Sequence, residues 1–174
     1  SIKLPQKSSR GVSFCDEEYI ATYENVSTYI SSKKVPSLPT FKVVSVNTQS
    51  VMKSSKNIIV SICGVAHDAV RIDGETAAQS PHDFSTFTCI FNPILPNQEC
   101  KTEQNDRSVV HYCSNEKDLL SKFGEFIRES DPDVIVGHNF LAYHLDIILQ
   151  RCRALNVSSK NWAAYGRLNR TVMP

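Results

Sequence analysis

The chain alternates short apolar runs of strand type with two stretches of helical spacing. Behind breaks at Pro36 and Pro39, Phe41 to Asn47 is the first firm strand. A polar turn at Lys53, Ser54, Ser55 and Lys56 leads to a second strand, Ile58 to Ala66. Phe84 to Phe91 reads as a third, with Phe87, Cys89 and Phe91 on one face. Pro93, Pro96 and Asn97 end that run, residues 92–107 read as a polar loop, and Val109 to Tyr112 can form a short strand. Ser114 or Asn115 can cap the next helix, with Glu116 and Asp118 near its positive end. Leu119, Leu120, Phe123, Phe126 and Ile127 give this helix, near 115–130, one apolar face. Val134, Ile135 and Val136 predict a strand over 133–136, placed centrally in the sheet. Leu141, Leu145, Ile148, Leu149, Cys152 and Leu155 predict a helix over 141–155. Residues 16–34 mix helical spacing with strand formers, and 1–12 read as a polar arm or strap. Successive strands followed by helix and strand in alternation predict an α/β fold, a mixed sheet flanked by helices.

Composition narrows this picture only slightly. A length of 174 residues suits one domain with a real core. The net charge of +1 makes the whole chain no general attractor of nucleic acid. The charge is uneven, however: no acid follows Asp146, whereas Arg151, Arg153, Lys160, Arg167 and Arg170 do. Such a run is either a solvated face and tail or a strip along a phosphate backbone. The six cysteines, Cys15, Cys63, Cys89, Cys100, Cys113 and Cys152, contain no Cys-x-x-Cys pair, and one nearby His111 beside Cys113 does not make a zinc pattern. Cys63 and Cys89 lie in apolar β-rich runs, where a thiol acts as a small hydrophobe. With no signal peptide or membrane-length apolar run, the expectation is a reducing intracellular compartment and no membrane partner.

Residues 131–149 carry the candidate chemistry. Pro132 punctuates the chain, the β-branched run forms a strand, Gly137 lets the backbone turn, and a helix follows. Asn139 stands where a side chain could reach across the mouth of the sheet. Strand, polar corner and helix in that order place functional groups at the carboxyl end of a strand, where open α/β sheets keep their sites.

This stretch resembles the second exonuclease motif of the family B DNA polymerases, in which an Asn, three residues and an aromatic precede an Asp. Asn139 and the aromatic Tyr143 match, and His144 stands where the Asp belongs. The run from Asp131 to Asn139, the Ser13-Phe14-Cys15 stretch and the closing run from Gly166 to Pro174 are similar to the replicative branch that extends RNA–DNA primers together with primase. The resemblance covers most of residues 13–174, loosely over 68–108. It implies a ribonuclease H-like, 3′–5′ exonuclease-like fold truncated before its last helix, with an arm or strap over 1–35 and an inactive exonuclease-like domain over 36–174. It further implies an excerpt of a larger nuclear polymerase. The implied partners are the rest of that chain, primase and accessory subunits, and DNA or an RNA–DNA primer-template. Magnesium is implied for the parent polymerase and no cofactor for this fragment.

Exonucleases of this family hydrolyse a phosphodiester with two metal ions held by carboxylates, because hard divalent cations require anionic oxygen. Active members carry Asp-x-Glu on the first strand, Asp in the second motif and a final Asp preceded by Tyr in a third. Here the first-strand match is Asn47-Thr48-Gln49, whose amides keep the shape of Asp and Glu without the charge. The second position is His144, and no third motif occurs before Pro174. An Asn after a strand is usually a turn residue, and a lone His is more often hydrogen-bonded than a ligand. Their coincidence at the matching sites is what points to a non-catalytic domain. Asn47, Gln49 and His144 are then vestigial positions, no residue is catalytic or metal-binding, and Arg167 and Arg170 are candidate nucleic-acid contacts. Two rivals remain: an active proofreading exonuclease with Asp131, Asp133, His144 and Asp146 as an unusual metal site, and a protein-interaction module for primase or an accessory subunit.

Overall fold

Along the first long strand buried and exposed positions alternate, with Val44, Val46 and Thr48 inside and Ser45, Asn47 and Gln49 outside, as a sheet covered on one face requires. The computed structural model describes residues 40–71, 84–95, 99–158 and 161, together with strand pairing at 6–7 and 19–20. The short strands β1 (Gln6–Lys7) and β2 (Tyr19–Ile20) pair antiparallel with each other. β3 (Phe41–Lys53) and β4 (Lys56–Val70) form a long hairpin. It closes at Ser54 and Ser55, whose φ values of 50° and 60° match the twist of the flanking strands. β5 (Phe84–Phe91), β6 (Lys101–Asn105), β7 (Ser108–Cys113), α1 (Glu116–Ser130) and β8 (Val134–Val136) follow. A π-helical turn over Phe140–Leu145 then runs directly into α2 (Asp146–Ala154).

The main sheet has the order β6-β7-β5-β4-β3-β8, with β8 parallel to β3, β7 parallel to β5, and the other pairs antiparallel. This is the mixed sheet with packed helices expected of the ribonuclease H-like exonuclease fold. Leu119, Leu120, Phe123 and Ile127 of α1, with Ile147, Ile148 and Cys152 of α2, meet Val44, Val46, Ile59, Ile62, Phe87 and Cys89 of the sheet in one core. Phe126 stacks on Phe87 with ring centroids 4.3 Å apart and lies over Gly64, where a Cβ would sit 3.2 Å from its ring.

An ion pair fastens the two helices to the hairpin. Arg151 donates from Nε and Nη2 to Glu116 at 2.8 and 2.6 Å, and Glu116 Oε1 also accepts the Ile59 N–H at 2.8 Å. Just there the β3–β4 register slips between Gln49 and Ser50, so that Val60 has no partner in β3. The Arg151 guanidinium is therefore engaged within the fold rather than left to solvent.

Four expectations need correction. Asn47 lies inside β3, not at its end, because the strand continues to Lys53. Part of the anticipated loop over 92–107 is strand β6, whose five residues are all exposed and so show no apolar alternation. The strand at 133–136 is not central: among the described residues β8 stands at the end of the sheet, with Val134 and Val136 exposed and Ile135 packed on the core. Three apolar residues in a row cannot distinguish a central strand from one paired on a single side. Finally, Leu141 is 76% exposed. The wider winding of the π-turn breaks its phase with Leu145, and Ile147 joins the buried face instead.

Candidate functional site

The polar corner after β8 is shaped by backbone constraints at two residues. Gly137 needs its missing side chain for proximity, since a Cβ there would lie 2.6 Å from the Val46 carbonyl oxygen. The turn itself falls to Asn139, which is left-handed at φ 52° and ψ 40°. Its carbonyl accepts the Tyr143 N–H at 3.1 Å, while its exposed side chain makes no capping bond. The motif Asn thus starts the π-turn, and that turn delivers Tyr143 and His144 to the flank of β3.

Both side chains land on hydroxyls of the strand. His144 Nδ1 and Thr48 Oγ1 share a buried hydrogen bond of 2.6 Å, with His144 only 6% and Thr48 only 7% exposed. Tyr143 and Ser50 join their hydroxyls at 3.3 Å, and the Tyr143 and His144 rings sit edge to face at 5.2 Å. Thr48 and Ser50 are two apart in a strand and therefore share a face. The motif likeness does not single them out, although the alternation of buried and exposed positions along β3 marks Thr48 as facing the helices.

The three positions matched to the exonuclease motifs do not converge. Asn47 and Gln49 are exposed and project from the other face of β3, while His144 is tucked against Thr48 behind it. Amides, a hydroxyl and an engaged imidazole do not form the anionic oxygen set that magnesium needs. The acids of the rival site are dispersed too. Asp131 closes α1 in a left-handed conformation, Asp133 accepts the Lys42 N–H at 2.9 Å, and Asp146 accepts from Gln150 Nε2 at 2.7 Å. Among the described residues no three His, Cys, Asp or Glu side chains gather as a metal-holding group. Arg167 and Arg170 lie outside the described residues.

A separate cleft of about 380 Å³ opens between α1 and the β5–β7–β6 end of the sheet. Its charges include Lys122 and Glu125, which pair at 2.9 Å, and its His111 Nδ1 bonds Thr102 Oγ1 at 2.9 Å. It shares no residue with the corner at Asn139. No helix among the described residues is long and apolar enough to cross a membrane.

Comparison with known proteins agrees with the geometry of strand, corner and helix. A family model described as DNA polymerase family B, exonuclease domain, matches residues 1–174. The chain is 35% identical over 144 residues to a DNA polymerase alpha catalytic subunit of Dictyostelium discoideum, covering 80% of this chain and 9% of that protein. It is 31% identical over 179 residues to the corresponding subunit of Xenopus laevis, covering 99% of this chain and 12% of the relative. A DNA polymerase delta catalytic subunit of Caenorhabditis elegans is 28% identical over 87% of the chain, which spans 13% of it. The chain thus spans only about a tenth of the length of these relatives.

Proposed function

The chain belongs to the exonuclease-domain family of the family B DNA polymerases, and we propose that it is a non-catalytic member, a structural domain of an alpha-type replicative polymerase. The observation that carries this reading is the fate of the second-motif position. His144 is buried and bonded to Thr48, while Asn47 and Gln49 offer uncharged amides on the opposite face. A two-metal hydrolysis has no carboxylate at any of these three positions. What remains is a rigid sheet-and-helix body that supports neighbouring parts of the polymerase.

In this reading the parent protein is a DNA-directed DNA polymerase of the nucleus. It uses magnesium at a polymerase site beyond these residues and extends RNA–DNA primers beside primase and accessory subunits. Arg167 and Arg170 touch the phosphates of the primer-template. The central test is incubation of the parent enzyme with a 5′-labelled single strand and manganese or magnesium. No shortening is expected, and metal-dependent excision that disappears in His144→Ala would overturn the proposal. A salt series tests the arginines: each change to Ala should lower the log–log slope of primer-template binding by about one unit. An unchanged slope removes them from the interface.

A further inference from the structure

The β6–β7 hairpin places two cysteines opposite one another. Its register pairs Asn105 with Ser108, Thr102 with His111 and Lys101 with Tyr112, and continuing it one step past the end of β6 brings Cys100 opposite Cys113. A two-residue turn closes on a hydrogen-bonded pair, here Asn105 and Ser108, and alternation along the ladder then makes Thr102/His111 and, one step past β6, Cys100/Cys113 pairs of the non-hydrogen-bonded kind. At such pairs the Cα atoms approach to about 4.5 Å, inside the range of roughly 4.4–6.8 Å that a disulfide spans. Thr102 and His111, two residues along on the same face, already touch across the strands at 2.9 Å.

A second observation fixes the same neighbourhood. Asp118 Oδ2 accepts from Cys100 Sγ at 3.3 Å and from the N–H of Ser114, the residue after Cys113, at 3.2 Å. One carboxylate oxygen therefore holds the two cysteine-bearing segments together. Cys100 is exposed and Cys113 is 5% exposed, so an oxidant from solvent reaches Cys100 first. Cys89 adjoins Cys113 from β5, where its hydrogen bond with Cys113 and then its burial push its pKa up.

We propose that Cys100 and Cys113 are a redox-responsive dithiol which a hydroperoxide converts into a disulfide across the edge hairpin. The Cys100 sulfur attacks one peroxide oxygen, the O–O bond breaks, and Cys100 becomes a sulfenic acid. The other oxygen leaves as water or alcohol with the thiol proton. The Cys113 sulfur then attacks the Cys100 sulfur, the S–S bond forms, and the sulfenic oxygen departs as water with the second proton. Two electrons pass from the thiols to the peroxide. The bridge locks β6, the edge strand among the described residues, onto β7.

The test is disulfide mapping of the full polymerase chain after a small excess of hydrogen peroxide, with amide exchange followed at 101–105. A Cys100–Cys113 linked peptide is expected, with exchange slowed roughly tenfold or more and restored by dithiothreitol. Cys113→Ser should leave a dimedone-reactive sulfenic acid on Cys100. Cys100→Ser, at an exposed position that spares the fold, should remove both the bridge and the slowed exchange. A Cys89–Cys113 bridge, sulfinic acid on Cys100 with Cys113 still free, or two unreacted thiols would each overturn the proposal.

Discussion

Glu116 and Arg151 show how much one side-chain pair holds in this protein. The Glu116 side chain is 7% and the Arg151 side chain 15% exposed, and Glu116 also occupies the Ile59 N–H. Arg151→Met would leave a carboxylate inside with one neutral donor, so a loss of about 3–5 kcal/mol in urea unfolding is expected. Adding Glu116→Gln removes the isolated charge and should recover part of that loss. A single-variant loss below about 1 kcal/mol would show that water reaches the carboxylate. His111 gives a pH signature at the same scale. Burial, then the Lys122 charge, lower its pKa from 6.5, against weaker opposing pulls from nearby carboxylates. The folded state thus favours neutral imidazole: the contribution to stability is present above 6.5 and is lost as pH falls through the lower folded value. A proton NMR titration should place the His111 midpoint below that of a free histidine, and a midpoint at or above it would contradict the burial.

Among elements, α1 is the one most legible in the sequence. The Asn115 side chain accepts the Asp118 N–H at 2.9 Å, and the apolar residues predicted to face inward are buried or half-buried. Its contact with the segment beyond α2 depends on a residue no periodicity marks. A Cβ on Gly124 would lie 2.8 Å from the Asn161 Cβ and carbonyl oxygen. Gly124→Ala should push this segment off the helix at about 1–3 kcal/mol, with faster amide exchange at Val157 and Asn161, and unchanged exchange there would count against the contact. β6 was not legible because its strand character comes wholly from hydrogen bonding to β7, which leaves Lys101, Thr102, Glu103, Gln104 and Asn105 outside. The helix over 141–155 was legible in place but not in phase, since the π-turn inserts a wider winding that apolar spacing does not reveal. At the corner, motif likeness found Asn139, Tyr143 and His144 but not the hydroxyls that receive the last two, because a motif records its own positions and not the facing strand.

At the scale of the whole molecule, restoring the missing acids should not restore excision. Asn47→Asp and Gln49→Glu would place two carboxylates on the exposed face of β3, where a change in stability within about 0.5 kcal/mol is expected. His144→Asp is different, because it would set an acid into a 6% exposed position beside the Thr48 hydroxyl. Without a cation that carboxylate must stay protonated or bear a desolvation cost of several kcal/mol. The strand lies between it and the two new acids, so the three cannot close around one metal. The triple variant should therefore have a lower urea midpoint, nearly all of it from position 144. It should show no micromolar manganese binding by calorimetry and no metal-dependent shortening of a 5′-labelled single strand. The single change at 144 and the double change at 47 and 49, measured in parallel, separate the folding effect from the metal effect. Stoichiometric manganese binding by the triple variant that needs all three acids would mean that β3 and the π-turn rearrange to bring the two faces together, and the inactive reading would then rest on side-chain identity alone.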